Sequence, residues 1–154
     1  MENPTALIEF EAMLLGRHLH LLTPHARGLD GRLDRSAYLL MSRIRAQGPM
    51  SIGELSAAFC LDVSTLNRQT AAMARAGVVE RIPDPAGGIA RKFAITAEGE
   101  RRLTSDRARN VTGLERVLAD WTPEEVAEFG SLLGRLNRDL ERHDARPWPR
   151  GTST

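Results

Sequence analysis

Residues 51–95 read SIGELSAAFCLDVSTLNRQTAAMARAGVVERIPDPAGGIARKFAI, and this stretch decides the fold of the chain. It begins with a capping box, because Ser51 and Glu54 stand three residues apart and each side chain can bond a backbone N–H beside the other. A short helix follows, and after a tight turn Asp62 or Ser64 caps a second helix. The stretch therefore predicts two short helices joined by a turn.

A hairpin is predicted directly after the second helix. That helix is expected to reach about Arg75 and to stop at Gly77. Two apolar-rich runs, residues 78–83 and 89–95, then flank a segment rich in proline and glycine, which is a hairpin signal. A helix-turn-helix followed by a basic hairpin is a winged helix. In that fold the second helix enters the major groove of DNA, and the hairpin, or wing, reaches phosphates or the minor groove.

The second helix separates apolar from polar residues. Leu66, Thr70 and Met73 lie at helical spacing and are predicted to face the core. The polar side chains are of the types that bond base edges and phosphates. The predicted DNA contacts are Ser64, Thr65, Asn67, Arg68 and Gln69 on the helix and Arg91 and Lys92 on the wing. The alternative is a solvated polar face on a packing helix, but the tandem capped helices and the hairpin favour DNA binding.

A family resemblance covers most of the chain, from about residue 5 to residue 142. The motifs that carry it are Leu33-Asp34, Gly48-Pro49, Glu54-Leu55, Ser64-Thr65, Arg68, Gly77-Val78-Val79, Arg81, Asp84-Pro85 and Ile95-Thr96-Ala97-Glu98-Gly99. In this order they resemble the MarR family of bacterial transcriptional regulators. One departure lies in the wing, where the family usually carries Asp-Arg-Arg after the Asp-Pro pair and this chain has Gly87-Gly88-Ile89. The usual wing arginine is absent, which leaves Arg91 and Lys92 as substitutes.

The patterns and the resemblance together predict a mainly α fold with a small β-hairpin wing. A single domain, residues 1–154, would combine a winged helix-turn-helix at 33–95 with dimerisation helices at 5–24 and 97–142 and a loose tail at 143–154. The resemblance implies a homodimeric repressor that binds a pseudo-palindromic double-stranded DNA operator and is relieved by a small-molecule effector. The alternative is a winged helix that binds protein without binding DNA, which the net charge of only +1 and the altered wing tip favour.

The terminal helices carry the predicted dimer interface. The first helix, residues 5–22, has a wide apolar stripe, and the last helix repeats apolar residues at spacings of three and four, as in a short heptad seam. Thr122 and Glu125 form a capping box that begins the last helix. The predicted interface residues are Leu7, Phe10, Leu14, Val126, Phe129, Leu133, Leu136 and Leu140. The alternative is that these helices only complete the core of a monomer.

Composition limits the class of protein. The chain has 154 residues, 42% of them hydrophobic and 27% charged, which suits one globular domain with a real core. It has no apolar run of about 18 residues and no basic leader, so a cytoplasmic protein is expected. A single cysteine excludes a disulfide framework and a Cys-based zinc cluster. Because the chain also lacks a Gly-rich phosphate loop, a nucleophile elbow and a His-Glu-x-x-His motif, no enzymatic activity, cofactor or metal site is expected.

Two further sites are considered. His18, Tyr38, Met41 and Trp121 are candidates for lining an effector pocket, although each suits the core or an interface equally well. Some relatives in the resembled family sense oxidants through a thiol, typically in the first helix. Cys60 instead ends an apolar helix face, where a free cysteine usually behaves as a small hydrophobic residue.

Overall fold

The computed structural model describes residues 3–22 and 33–150. In chain order the elements are α1 (Pro4–Leu22), α2 (Arg35–Gln47), α3 (Ile52–Phe59), α4 (Val63–Arg75), β1 (Val79–Ile82), β2 (Lys92–Ile95), α5 (Ala97–Val117) and α6 (Pro123–His143). This order confirms the predicted fold class, mainly α with a small hairpin wing. Residues 23–24 of the first predicted dimerisation segment and residues 151–154 of the predicted tail lie outside the described residues. None of the described helices is long and apolar enough to cross a membrane.

Side-chain caps begin the helices from α2 onward. The capping box of α3 is confirmed, since the Ser51 N–H donates to Glu54 Oε2 at 3.0 Å and the Glu54 N–H donates to Ser51 Oγ at 3.1 Å. Asp62 caps α4, which decides between the two predicted caps, Asp62 and Ser64. Thr122 begins α6 with a second capping box, as predicted. Local side-chain chemistry therefore sets where these helices begin.

The wing is a two-stranded antiparallel hairpin in which Val79 pairs with Ile95. Its strands are shorter than predicted. β1 stops just before Pro83, and β2 begins at Lys92, three residues later than the sequence suggests. Proline has no N–H for the ladder, so pairing ends where the prolines begin. The wing loop is therefore residues 83–91.

The core lies between α2, α3, α4 and the base of the wing. The residues predicted to face it from α4, Leu66, Thr70 and Met73, are confirmed as buried, and α2 contributes Ala37, Leu40, Met41 and Ile44. Leu55 of α3 and Leu103 of α5 complete this core. Met50 and Phe93 exchange two backbone hydrogen bonds of 3.1 and 2.7 Å, which join the wing to the segment before α3. One face of α4 is thus fixed by packing from several sides.

The terminal helices leave their apolar faces open. α6 buries no residue in the protomer, which counts against the alternative that it only completes a monomer core. The exposed large apolar residues are Leu7, Ile8, Phe10, Met13 and Leu21 on α1 and Val126, Phe129, Leu132, Leu136 and Leu140 on α6. Leu14 and Leu133 are half-buried. α5 changes along its length, because Leu103 is fully buried whereas Val117 is exposed.

The predicted loose tail, residues 143–154, is corrected for residues 146–150. Trp148 packs edge-on against Phe59 of α3 with ring centroids 5.8 Å apart, and Arg150 forms an ion pair with Glu141 of α6. These contacts join the end of the described chain to two helices. The sequence did not predict them because an Arg-Pro-Trp-Pro-Arg segment has no secondary-structure periodicity.

Candidate nucleic-acid interface

α4 presents one polar face away from the core. Leu66, Thr70 and Met73 hold its opposite face among buried residues. Among its exposed residues, Ser64, Asn67, Arg68, Ala71 and Arg75 recur at helical spacing. A helix fixed by its core face, with an outward row made mostly of polar and basic side chains, has the form of a recognition helix. The row extends beyond the residues predicted as contacts, to Ala71 and Arg75, and the spacings of four from Asn67 to Ala71 and from Ala71 to Arg75 are the signal that finds them.

The start of α4 is held by Asp62. Its Oδ1 accepts a hydrogen bond from the Thr65 N–H at 2.6 Å and another from the Ser64 hydroxyl at 2.7 Å. These bonds lower the pKa of Asp62 to about 2, and the hydrogen bond from the Ser64 hydroxyl has the largest effect. The Ser56 hydroxyl also donates to the Leu61 carbonyl at 2.6 Å and closes the preceding turn. While Ser64 donates to Asp62, its oxygen remains available only as an acceptor.

The two other polar residues predicted on α4 turn partly inward. Thr65 and Gln69 are half-buried. Gln69 Nε2 lies 3.4 Å from Ser36 Oγ of α2, a long contact. Its Oε1 is buried without a hydrogen-bond partner in the described part of the chain. Of the predicted α4 contacts, Ser64, Asn67 and Arg68 are therefore the ones that face outward, whereas Gln69 faces α2.

Lys92, predicted to hold phosphate, lies between two carboxylates of its own protomer. Its Nζ is 3.0 Å from Glu54 Oε1 and 3.6 Å from Asp84 Oδ1, and its side chain is only 17% exposed. The hydrogen bond to Glu54 raises the pKa of Lys92. This pairing counts against the predicted phosphate contact, because the charge is already neutralised and the ammonium is tied to α3. Arg91 is exposed beside it.

Exposed residues of the wing loop and of β1 add to the candidate interface. Ile89 is fully exposed in the wing loop. Arg81 on β1 is exposed, and its guanidinium carbon lies 5.7 Å from the centre of the Phe93 ring. Of the cations between Asp62 and Ile95, the exposed ones are Arg68, Arg75, Arg81 and Arg91. Arginine binds phosphate and guanine bidentately, so this surface has the donors that DNA recognition uses.

The four candidate effector residues do not line one common cavity. Met41 is fully buried in the core, and Tyr38 packs against that core. His18 is exposed on α1. Trp121 lies in the turn between α5 and α6. Its ring makes an edge-type contact with the ring of Phe129, and the two ring centroids are 5.6 Å apart. Trp121 borders an open apolar groove of about 610 Å³ between these helices. Met41 is a core residue, and Trp121 belongs to the exposed apolar face.

Within the described residues, no group of three His, Cys, Asp or Glu side chains could hold a metal ion.

Comparisons with known proteins agree on one family. A family model described as MarR family matches residues 33–86, which hold α2, α3, α4 and the first part of the wing. The uncharacterised HTH-type transcriptional regulator YxaD of Bacillus subtilis (strain 168) is 36% identical over 138 residues, covering 89% of this chain and 95% of that protein. The uncharacterised HTH-type transcriptional regulator YsmB of the same strain is 32% identical over 95 residues, covering 62% and 65%.

Solved structures share the fold. A MarR family protein from Bacillus stearothermophilus superposes with a TM-score of 0.69 at 22% identity, covering 91% of this chain and 99% of that one. Wild-type MarR from E. coli in its apo form gives a TM-score of 0.66 at 20% identity, covering 88% and 98%. At these identities the structures establish the fold, and the similarity to YxaD over nearly its whole length establishes the family. The chain belongs to the MarR family of transcriptional regulators.

Proposed function

We propose that the protein is a homodimeric repressor that binds a pseudo-palindromic DNA site through its two α4 helices. The observation that carries this proposal is the outward row of α4, in which Asn67 and Arg68 are exposed on a helix anchored from behind by the core. Asn67 would bond a base edge and Arg68 a base or phosphate, whereas Ser64 would accept a hydrogen bond. Arg75 extends the contact along the groove. From the wing, Arg91 would reach phosphate.

The homodimer is supported by the apolar surface of the terminal helices. Phe10 is 49% exposed, Leu136 42% and Leu140 56%, and these side chains belong to one protomer's α1 and α6. Large apolar faces of this kind mark interfaces, because leaving them in water is unfavourable. Of the residues predicted from the sequence to form the interface, those exposed in the protomer are Leu7, Phe10, Val126, Phe129, Leu136 and Leu140. A two-fold dimer would present both α4 helices to successive major grooves.

The proposed repressor role, and its relief by a small-molecule effector, are inferred from the family to which the chain belongs. One structural neighbour is the Multiple Antibiotic Resistance Repressor, MarR, and we extend the role in its name to this chain as a proposal. An effector would release DNA by binding one dimer geometry more tightly than another, which changes the separation of the α4 helices.

The second candidate function is a winged helix that binds a protein. The pairing of Lys92 with Glu54 and Asp84 favours it, since the wing keeps fewer free cations than its sequence suggests. Salt separates the two functions, because DNA binding weakens steeply with rising salt as neutralised phosphates release counterions. A winged helix that binds protein would give no salt-dependent retention of duplex DNA.

The test begins with selection of bound sequences from a random duplex pool, followed by affinity measurements with the selected site. Arg68→Ala is expected to weaken binding by at least ~1 kcal/mol, the value of one lost base or phosphate contact. Arg107→Ala is the matched control, because it removes the same charge from an exposed position on α5. Equal affinities for both variants would remove Arg68 from the interface. No enriched inverted repeat, with a folded dimer in hand, would favour the protein-binding function.

A further inference from the structure

The end of α6 turns the chain sharply toward α3. The Arg146 N–H donates to the Glu141 carbonyl at 3.1 Å, and the Ala145 N–H donates to the Arg142 carbonyl at 3.3 Å. This pattern requires a left-handed residue, and Ala145 supplies it with φ of 54°. Alanine in that conformation is unfavourable by about 1 kcal/mol or more. The contacts that follow must therefore hold the turn in place.

Those contacts centre on Trp148, which is half-buried. Its ring and that of Phe59, the last residue of α3, form a T-shaped pair with centroids 5.8 Å apart and ring planes at 87°. The guanidinium carbon of Arg43 on α2 lies 5.2 Å from the Trp148 ring centre. Arg43 Nη1 also donates to the Pro147 carbonyl at 3.2 Å. Partial burial lowers the pKa of Arg43. An aromatic contact and a cation–π contact thus hold one indole ring against two helices.

Glu141 fixes the same segment from the side of α6. Its carboxylate accepts a hydrogen bond from the backbone N–H of Trp148 at 3.2 Å and another from Arg150 Nη1 at 2.7 Å. The Arg150 contact is the main reason that the pKa of Glu141 falls to about 2. Pro147 and Pro149 flank the tryptophan and restrict the backbone before docking, so little conformational entropy is lost on ordering. We call residues 146–150, docked in this way, the clasp.

The position of the clasp gives it a mechanical role. The segment that carries α4 and the wing, residues 33–95, is the reading head. α5 leaves the reading head from the base of the wing and leads to α6, which buries no residue in the protomer. The clasp returns from the far end of α6 to α2 and α3 of the same reading head. The reading head is thus attached to the dimerisation helices at two separate places.

We propose that Trp148 is a positioning residue: through the clasp it fixes the reading head relative to α6, and so sets the separation of the two α4 helices in the dimer. The inference rests on the proposed dimeric DNA-binding function. One attachment leaves a rigid body free to swing about a hinge, whereas two attachments restrain that swing. The clasp therefore selects the spacing between the two half-sites of the operator.

The first experiment measures the α4 separation without DNA. Cys60 is the chain's single cysteine, and it accepts a contact from Arg146 Nη2 at 3.3 Å. The substitution Cys60→Ser removes this thiol before labelling and keeps a side chain of similar size. Ala71→Cys then places one spin label on the exposed face of each α4. In the homodimer, the distance between the two labels reports the separation of the reading heads.

The variants are Trp148→Ala, which removes the clasp's anchor, and Trp148→Phe, which keeps an aromatic ring against Phe59 and Arg43. We expect a narrow distance distribution with Trp148, a broader or shifted one in Trp148→Ala, and recovery in Trp148→Phe. Circular dichroism and dimer mass should be the same in all three proteins. An unchanged distribution in Trp148→Ala would overturn the proposal, and so would an equally broad distribution in the protein that retains Trp148.

The second experiment selects DNA with half-sites at varied spacing. The protein with Trp148 should enrich one spacing, and Trp148→Ala should enrich several while still recognising the same half-site sequence. The same single spacing for both would refute the positioning role. If the protein with Trp148 enriches no inverted repeat at all, the proposed function itself fails, and the distance measurement still decides whether the clasp restrains the reading head.

Discussion

Gly99 lies where α5 meets the wing, and its replacement by alanine tests the packing of that joint. A Cβ atom at residue 99 would lie 2.1 Å from the carbonyl oxygen of Val78 and 2.8 Å from Cγ2 of Ile95. That carbonyl accepts the Thr96 N–H at 3.1 Å, the hydrogen bond that joins the sheet to the helix cap. The added methyl group therefore cannot be accommodated by a side-chain rotation, because backbone atoms must move.

The expected magnitude comes from two opposing effects. Alanine is favoured over glycine inside a helix by about 1 kcal/mol, whereas overpacking a filled site is unfavourable by about 1–3 kcal/mol. Because the obstruction at residue 99 is backbone, we expect overpacking to dominate and Gly99→Ala to destabilise the protein. Gly113 lies in the same helix with nothing within 4 Å of its ideal Cβ position. Gly113→Ala should therefore stabilise the protein by up to ~1 kcal/mol.

The assay is thermal and urea unfolding of both variants at one fixed protomer concentration, since the proposed dimer would make stability depend on concentration. For a chain of this size, 1 kcal/mol corresponds to roughly 2–4 °C in Tm. We expect Tm to fall in Gly99→Ala and to rise in Gly113→Ala. If Gly99→Ala were as stable as the original protein, or both variants shifted in the same direction, the packing argument at the joint would be refuted.

Two further predictions concern the α4 cap and the dimer. Asp62→Ala should lower Tm, and Asp62→Asn should retain most of the cap. Because the pKa of Asp62 is lowered from 3.8 to about 2 in the folded state, the ionised cap's advantage is present above 3.8 and is lost as pH falls through about 2. The Tm difference from Asp62→Ala should shrink in that window; a difference that stays constant would contradict the assignment. Under the proposed function, Leu136→Glu should convert the homodimer to monomers in a light-scattering mass measurement, because it places a charge on the apolar face of α6. The neighbouring exposed Arg135→Glu should remain dimeric, and a dimeric Leu136→Glu would exclude this face as the interface.

The features predicted well from the sequence depend on neighbours in the chain. Ser51 and Glu54 are three residues apart, and the buried face of α4 repeats at helical spacing, so both can be read without knowing the tertiary structure. The candidate site was predicted less completely. Lys92 reads as a free cation, but its partner Glu54 is 38 residues away. Gln69 reads as a base contact, but Ser36, the residue it faces, is 33 residues away. Side-chain direction at such positions is set by packing between elements.

The clasp shows the same limit more strongly. Trp148 contacts Phe59 and Arg43 across a large part of the chain. The sequence around Trp148 has two prolines and no periodicity, features that are typical of a disordered end. Order arises there because distant aromatic and charged partners lie on the surface of α2 and α3. A pattern within one segment contains no information about such partners.

The structure of the wing explains why, on the proposed function, the position of α4 matters for DNA recognition by this chain. Asp84 accepts the Ala86 N–H at 2.9 Å and also lies beside Lys92, while a Cβ at Gly88 would meet Asp84 Oδ2 at 2.3 Å. The wing loop is therefore ordered by its own contacts, and the cation nearest its base is paired with α3. On the proposed function, a wing with this structure supplies Arg91 as its phosphate contact and has no arginine at its tip to read the minor groove. Sequence recognition then depends mainly on α4. A protein that reads DNA with one helix per protomer distinguishes operators by half-site sequence and by the distance between half-sites, which is the quantity that the clasp is positioned to restrain.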